Sequence, residues 1–204
     1  MKSEPFLFYI IISFCIIFVI TSLFISELRL YSLNTCNIKF HTLENAVCNY
    51  SNYTYNNMCN ILKPYIKFKN MHYNILEIGA GRGISTKYFM NFLNKEIHNF
   101  SYTANEILVK YEDKLNSINN CKVIIGSFED IPPQQYDIIF TTAFSAINDK
   151  NIHYLYNLCH KDTLILTLYK NKKKIEKYFK IMNYRKLGPI QKIYVIKMKD
   201  LNNY

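Results

Sequence analysis

Three glycines lie close together in the segment NILEIGAGRGIST, residues 74–86, directly after a short apolar run that contains Glu77. They are Gly79, Gly81 and Gly83, and the whole chain of 204 residues has only five glycines. Glycine allows a sharp backbone turn and leaves no Cβ in the way of a bound molecule. The spacing therefore indicates a turn that approaches a ligand closely, ahead of a helix whose first N–H groups are free.

The spacing of the glycines also tells which kind of turn this is. A dinucleotide-binding fingerprint has the form G-x-G-x-x-G. Counted from Gly79, its last glycine falls at position 84, where this chain has Ile84. The pattern here is E-x-G-x-G-x-G, from Glu77 to Gly83, so it differs from that fingerprint.

The elements around this turn alternate between short apolar runs and longer segments with helical spacing. The predicted strands are Ile75–Ile78, Phe100–Thr103, Lys122–Ile125, Tyr136–Phe140, Thr163–Leu168, Tyr184–Leu187 and Lys192–Met198. The predicted helices are Tyr53–Ile66, Ser85–Leu93, Ile107–Ile118, Lys150–Cys159 and Asn171–Met182. This alternation predicts a parallel sheet covered by helices on both faces. The last two strands predict a hairpin that adds antiparallel strands at one edge.

The glycine pattern, with an acidic residue closing the preceding strand, resembles motif I of the class I S-adenosylmethionine-dependent methyltransferases. The resemblance extends over residues 74–198 and implies S-adenosylmethionine as the cofactor. It implies that Glu77 helps to hold the amino group of the cofactor, directly or through water. The turn that it expects around the methionine part and the ribose consists of Gly79, Ala80, Gly81 and Gly83.

A second acidic residue, Glu106, ends the predicted second strand, 23 positions after Gly83. The resemblance implies that a carboxylate at this place binds both ribose hydroxyls, at an expected offset of about 20 residues. Two carboxylate oxygens suit two hydroxyl donors. The adjacent Ile107 is expected to contact the cofactor as well.

The segment GSFEDIP, residues 126–132, follows the third strand, where the family usually has G-D-A-E-x-L-P. Ser127 replaces the usual aspartate that meets the adenine amino group. Either Ser127 substitutes weakly for it, or Glu129 or Asp130 takes that role. The backbone N–H of Phe128 is expected to meet an adenine nitrogen. The segment that leaves the fourth strand, Thr141 to Ser145, is expected to form the pocket floor near the methyl group.

The predicted fold class is α/β, a Rossmann-like doubly wound sheet of seven strands, mostly parallel with an antiparallel last strand, preceded by a transmembrane helix. The predicted organisation is an anchor at residues 1–27, a connector with a helix at 28–70 and a cofactor-binding domain at 71–204. Tyr53 and Tyr55 in the connector are candidates for closing over the cofactor.

The predicted anchor is Phe6–Ile25, 20 residues without a charge, proline or glycine. As a helix this run spans roughly 30 Å, the thickness of a bilayer core. A signal peptide usually has a shorter apolar region and a small-residue cleavage site. A buried core helix is the other alternative, although a small domain rarely holds a helix that is apolar all round. Charges on the two sides do not fix its orientation.

The chain is basic, with 25 Lys and Arg against 15 Asp and Glu, a formal net charge of +10. This charge favours anionic neighbours, namely nucleic acid, phospholipid headgroups or an acidic ligand, without choosing between them. The six cysteines form no C-x-x-C pair, which argues against a zinc ribbon or a redox dithiol. His153 and His160 lack a second set of ligands, so no metal site is predicted.

The predicted function is methyl transfer to a small acceptor, lipophilic or a thiol, by a membrane-anchored enzyme with a cytosolic domain. Its layout is similar to the membrane-bound thiol methyltransferase-like proteins of the type 11 group. The segment TTAF, residues 141–144, stands where many amine methyltransferases have [DN]-P-P-[YF]. The alternatives are an RNA or protein methyltransferase and an inactive cofactor-binding protein. The sequence identifies neither a catalytic residue nor an oligomeric state, and nucleic acid is the less favoured partner.

Overall fold

The computed structural model describes residues 50–142, 144, 147–169, 171–187 and 191–199. Within these residues the strands are β1 (His72–Ile78), β2 (Asn99–Glu106), β3 (Cys121–Ile125), β4 (Tyr136–Thr141), β5 (Cys159–Tyr169), β6 (Phe179–Lys186) and β7 (Lys192–Met198). The α-helices are α1 (Asn52–Leu62), α2 (Ile84–Glu96), α3 (Glu112–Asn116), α4 (Ile152–Asn157) and α5 (Lys172–Tyr178). Short 3-10 helices occupy Lys63–Tyr65, Val109–Tyr111 and Phe128–Asp130.

The strands form one seven-stranded sheet in the order β3-β2-β1-β4-β5-β7-β6. Strands β1 to β5 pair in parallel, and β7 pairs antiparallel with both β5 and β6. The predicted Rossmann-like sheet with an antiparallel last strand is therefore confirmed. The expectation that both strands of the hairpin run antiparallel is wrong for β6. Helix α5 carries the chain from the carboxyl edge of the sheet back to its amino edge. Strand β6 therefore runs in the same direction as β1 to β5.

Four predicted helices are shorter in the structure than in the sequence analysis. The predicted helix over 53–66 ends at Leu62 and continues as a 3-10 turn. The predicted helix over 171–182 ends at Tyr178, because Phe179 and Ile181 pair with β7 and face the core at strand spacing. The predicted helix over 150–159 ends at Asn157, and β5 starts at Cys159. The predicted helix over 107–118 begins late, because the backbone N–H of Leu108 donates to the Glu106 side chain.

The side chains of the sheet alternate between two apolar cores, one on each face. On β1, Ile75 enters the core beneath α1 and α2, and Leu76 enters the core beneath α4 and α5. The first core contains the stacked rings of Phe89 and Phe140, with centroids 4.0 Å apart and planes at 9°. Both faces of the sheet are therefore buried, and its carboxyl edge remains for a ligand.

Helix α1 shares the first core, although the sequence analysis assigned it to a connector. Tyr55, Met58 and Leu62 are buried there, and the Tyr55 ring lies 5.7 Å from that of Phe89. The side chain of Ser51 caps the helix by accepting from the backbone N–H of Thr54. The segment therefore packs as part of the folded domain.

The predicted membrane anchor, Phe6–Ile25, lies outside the described residues, as do Cys15, Cys36 and Cys48. In the part of the chain that the structure does describe, no helix has the length and apolar character needed to cross a bilayer.

The three described cysteines are predicted to resist alkylation in the folded protein. Burial raises the pKa of Cys59 and Cys159 to about 12 and that of Cys121 to about 11. The thiolate is the reactive form, and at pH 8 all three thiols stay protonated. Peptide mapping by mass spectrometry after iodoacetamide treatment should find them modified only in urea, whereas the exposed control Ser117→Cys should react without denaturant. Fast modification of all three cysteines in the folded protein would contradict the burial described for them.

Candidate functional site

The glycine turn lies between the end of β1 and the start of α2. Gly79, Gly81 and Gly83 have φ values of 82°, 56° and 76°, in the left-handed region that glycine adopts most easily. At Gly83 an added Cβ would also lie 2.7 Å from the Cδ1 atom of Ile118. The turn therefore favours glycine for its conformation at all three positions, and at Gly83 a side chain would also require Ile118 to shift.

The turn is fixed to the end of β2 by three hydrogen bonds. The backbone N–H groups of Gly79 and Ala80 donate to the carbonyl oxygen of Asn105, at 2.9 and 3.0 Å. The N–H of Gly81 donates to Oε2 of Glu106 at 2.7 Å. The parallel register, which pairs Ile78 with Asn105, sets these contacts.

Glu106 is buried, with 5% of its surface exposed, beside the glycine turn. Its Oε2 accepts from Gly81, and its Oε1 accepts from the backbone N–H of Leu108 at 3.0 Å. A carboxylate has about four lone-pair positions, so each oxygen keeps one position for a further donor. The structure thus brings Glu106 and the turn together as expected, while the binding of ribose hydroxyls stays a prediction.

Glu77 lies beneath the first turn of α2 and has hydroxyl partners. Thr86 Oγ1 and the Tyr102 hydroxyl both donate to its Oε2, at 2.6 and 2.9 Å. Burial raises the pKa of Glu77, whereas hydrogen bonds from the hydroxyls of Ser85, Thr86 and Tyr102 act in the opposite direction. Its carboxylate is therefore engaged by the protein itself.

The segment after β3 forms a compact capped turn. Ser127 Oγ accepts from the N–H of Glu129 at 3.3 Å, and Asp130 Oδ2 accepts from the N–H of Ser127 at 3.0 Å. These reciprocal bonds form a capping box, so two of the three candidate adenine partners hold the turn. The N–H of Phe128 opens the 3-10 helix and, as at any helix start, has no partner within that helix.

Thr141 and Ile107 lie at the same carboxyl edge of the sheet. Thr141 is buried at the end of β4, opposite Ile78 in the register. Ile107 is 54% exposed, directly after Glu106. Two further apolar side chains at this edge, Ile84 and Val109, are 46% and 67% exposed. Three exposed apolar side chains therefore lie in the segments around this edge, together with the exposed cations Arg82 and Lys110.

Several residues around the turn were missed by the sequence analysis. Asn105 bridges β2 and β3 through its Nδ2 group, which donates to the carbonyl of Gly126 at 3.0 Å. Thr86 and Tyr102 bind Glu77 from a helix and a neighbouring strand. The sequence could have indicated Asn105, because it is a polar residue within an apolar strand. Nothing in the local spacing predicts that Tyr102 contacts Glu77.

The two tyrosines proposed as a cover differ in position. Tyr55 is buried over the first turn of α2, and burial raises the pKa of its hydroxyl, with Glu77 acting in the same direction and Ser85 in the opposite one. Tyr53 is largely exposed. The structure therefore brings Tyr55 to the site region and leaves Tyr53 at the surface.

His160 lies at the opposite, amino edge of the sheet. Its Nε2 atom is 3.1 Å from Oδ1 of Asp137, whose Oδ2 accepts from the N–H of Asn74 at 2.7 Å. These two contacts tie together residues near the starts of β1, β4 and β5. His160 and Asp137 are therefore structural neighbours and lie apart from the glycine turn.

Solved structures share this architecture. A putative RNA methyltransferase from Pyrococcus horikoshii has a TM-score of 0.55 at 12% identity, over 84% of this chain and 96% of that one. A S-adenosylmethionine-dependent methyltransferase from Aquifex aeolicus has a TM-score of 0.53 at 15% identity, over 69% and 89%. The chain has the class I methyltransferase fold. A putative type 11 methyltransferase from Sulfolobus solfataricus has a TM-score of 0.52 at 15% identity, over 71% and 91%.

One relative found by sequence is named as a methyltransferase. The malonyl-[acyl-carrier protein] O-methyltransferase 2 of Ilyobacter polytropus is 34% identical over 96 residues, which are 46% of this chain. The chain spans about a third, 37%, of the length of that relative. No protein-family model matches the chain. The predicted cofactor of this methyltransferase fold, S-adenosylmethionine, agrees with the comparisons.

Replacement of Gly83 by alanine is predicted to destabilise the protein. A left-handed conformation costs an alanine about 1–2 kcal/mol, and the new Cβ meets Ile118 and Leu115. Urea unfolding should therefore show a loss of at least about 1 kcal/mol. The control Lys87→Ala, an exposed change in the same helix, should leave the free energy of unfolding nearly unchanged. Equal stability of both variants would mean that the turn is wrongly described.

Proposed function

We propose that this chain is a S-adenosylmethionine-dependent methyltransferase, tethered to a membrane, that acts on a small acceptor. The observation that carries the proposal is the hydrogen bond from the Gly81 N–H to the buried Glu106 carboxylate. It joins the glycine turn to a buried hydrogen-bond acceptor, at the carboxyl edge of a parallel sheet. Nucleotide-like ligands bind at this edge in such folds.

The proposed binding roles follow from the position of each residue. Gly79, Ala80, Gly81 and Gly83 form the wall beside the methionine part, and Glu106 accepts from the ribose hydroxyls. Ile107 lies against the adenine as an exposed apolar side chain. Phe128 supplies a backbone N–H to the adenine, and Ser127 acts through the cap that holds this N–H. Thr141 lies below the methyl group.

The main role of the protein in this reaction is to position the cofactor and the acceptor. When bound, S-adenosylmethionine supplies an activated methyl group on a sulfonium sulfur. The turn and Glu106 hold the nucleoside in one orientation, so that an acceptor is aligned with that methyl group. No side chain is assigned as a base, because a thiolate forms readily near neutral pH.

A lipophilic acceptor is the proposed substrate class. The exposed apolar side chains of Ile84, Ile107 and Val109 favour such a molecule, and the apolar run Phe6–Ile25 has the length of a membrane span. The proposed location is a single-pass membrane protein with its domain in the cytosol, where S-adenosylmethionine is made. Because the relative's name describes O-methylation of a malonyl group, carboxylic acids belong in the acceptor panel.

Replacement of Glu106 by alanine is predicted to weaken the binding of S-adenosylhomocysteine. A hydrogen bond to a charged group contributes about 1.5–3 kcal/mol, so a loss of at least about tenfold is expected. Isothermal titration calorimetry measures it. Glu112→Ala, which removes an exposed carboxylate after β2, is the matched control and should bind like the wild type. Unchanged affinity in the Glu106 variant would remove the basis of the ribose assignment.

The wild-type chain is predicted to transfer a radiolabelled methyl group to a small acceptor. The assay offers tritiated S-adenosylmethionine with membrane lipid extract, small thiols, fatty acids and RNA in separate reactions, with Glu106→Ala as the inactive control. Label in the lipid, thiol or acid reactions supports the proposal. Label confined to RNA, with salt-sensitive binding, would establish the polymer alternative, and binding without any transfer would indicate an inactive protein.

Deletion of residues 1–27 is predicted to release the protein from membranes. The full chain should sediment with the membrane fraction and need detergent for extraction, because about 20 apolar residues suffice to span a bilayer. The deleted form should remain in the supernatant at low and high salt. A full chain that is soluble without detergent would overturn the anchor without affecting the methyltransferase proposal.

A further inference from the structure

We propose that the carboxyl edge of β5, β7 and β6 binds an anionic group, a carboxylate or a phosphate, at one end of the methyl acceptor. The binding groups are the Tyr194 hydroxyl and the amines of Lys186 and Lys192. This inference rests on the proposed function, since it concerns the acceptor of the same reaction. It narrows the proposed acceptor from any lipophilic molecule to one with a negatively charged end.

A row of residues leads from the proposed methyl position to this part of the edge. In the register of the sheet, Thr141 at the end of β4 pairs with Thr167 of β5, which pairs with Tyr194 of β7. Residues in register on neighbouring strands share one face of the sheet. Neighbouring strands are about 4.8 Å apart, so the Cα atoms of Thr141 and Tyr194 are about 10 Å apart. A small acceptor can span this distance.

Two buried hydroxyls of this row lack a hydrogen-bond partner among the described residues. They are Oγ1 of Thr167 and the hydroxyl of Tyr194, and both residues are 0% exposed. Burial raises the pKa of Tyr194, so its hydroxyl stays protonated and can donate. A buried hydroxyl without a partner is destabilising, and an oxyanion beside Tyr194 provides the acceptor that it lacks.

Two neighbours of the Tyr194 side chain are groups that extend into solvent. The ring of Tyr184, which is 49% exposed, lies 6.1 Å from the ring of Tyr194. Glu176 raises the pKa of Lys172, and the nearby hydroxyls of Tyr184 and Tyr194 act in the same direction. Exposed side chains such as Lys172 and Tyr184 change rotamer rapidly. An anion therefore reaches the Tyr194 hydroxyl without opening of the apolar core.

Two lysines lie directly opposite each other beside Tyr184. Lys186 at the end of β6 pairs with Lys192 at the start of β7, and Nζ of Lys192 lies 5.8 Å from the centroid of the Tyr184 ring. Like charges directly opposite each other on neighbouring strands are destabilising. Within the part of the chain that the structure describes, neither lysine forms an ion pair. A bound anion offsets the repulsion between them.

A second lysine pair lies at the amino edge of the same two strands. Lys180 pairs with Lys197, and Oδ1 of Asp162 lies 3.2 Å from Nζ of Lys197. At the amino edge the protein therefore supplies the compensating carboxylate itself. At the carboxyl edge, where the cofactor is proposed to bind, we assign the compensating charge to the acceptor.

The surrounding surface is strongly positive. Residues 171–187 and 191–199 contain ten Lys and Arg and one acidic residue, Glu176. Such a charge attracts anions of every kind, including RNA and anionic lipid headgroups. These large partners contact exposed cations, whereas a buried hydroxyl such as that of Tyr194 is reached by a small ligand. The hydroxyl therefore favours a small acidic acceptor over a membrane or a polymer.

Two thiols of the same chain length test the anionic end of the acceptor. Mercaptohexanoic acid and mercaptohexanol differ only in the group opposite the thiol. The assay uses the full chain in detergent and measures kcat/KM for transfer of a tritiated methyl group to each thiol. Calorimetry measures the binding of each thiol to the complex with S-adenosylhomocysteine. The wild type is expected to prefer the acid by about tenfold, the effect of a hydrogen bond to a charged group.

Three variants are expected to reduce this preference. Tyr194→Phe removes only the hydroxyl, and Lys186→Gln and Lys192→Gln each remove one charge. Each variant should lower kcat/KM for the acid several-fold more than for the alcohol. The matched control is Lys180→Gln, from the second lysine pair, which should keep the wild-type preference. A merely structural hydroxyl predicts that Tyr194→Phe is at least as stable as the wild type and keeps the preference.

Several results overturn the inference and leave the cofactor proposal standing. One is a wild type that binds S-adenosylhomocysteine but treats the two thiols alike, or neither binds nor methylates them. Another is a preference for the acid that Tyr194→Phe retains. A third is that the lysine variants lose binding to RNA, or the preference for phosphatidylserine over phosphatidylcholine vesicles, without any change towards the thiols. Failure of the proposed function differs from all three, because the wild type then binds no S-adenosylhomocysteine.

Discussion

The carboxylate of Glu106, bonded to the N–H of Gly81, is the contact on which the candidate site depends. It links the flexible turn after β1 to the end of the neighbouring strand. A buried carboxylate is stable only where donors compensate for its lost hydration, and the N–H groups of Gly81 and Leu108 provide them. Each oxygen of Glu106 retains a lone pair. The carboxylate that holds the turn can therefore accept further hydrogen bonds.

Two buried carboxylates one strand apart are held in different ways. Glu106 accepts from backbone N–H groups, whereas Glu77 accepts from side-chain hydroxyls beneath α2. The charge of Glu106 raises the pKa of Glu77, together with the larger effect of burial.

The strands of the sheet could be predicted from the sequence because they are buried on both faces and appear as short apolar runs. The ends of the helices were harder to predict from the sequence. Phe179 and Ile181 follow a lysine-rich helix without a proline or glycine to mark the boundary, and pairing with β7 decides that they form a strand. Similarly, the role of Ser127 depends on its local cap with Asp130, which competes with the ligand role that the motif implied.

By itself the sequence determined the parallel sheet, the glycine turn and the acidic residue at the end of β2, because these follow from local composition and spacing. Only the tertiary structure decided which groups meet. The register of β1 against β2 brings Gly81 to Glu106, and the packing of α1 and α2 on the sheet brings Tyr55 and Thr86 to the region of Glu77. Such contacts join residues distant in the chain, and local spacing carries no information about them until the elements pack.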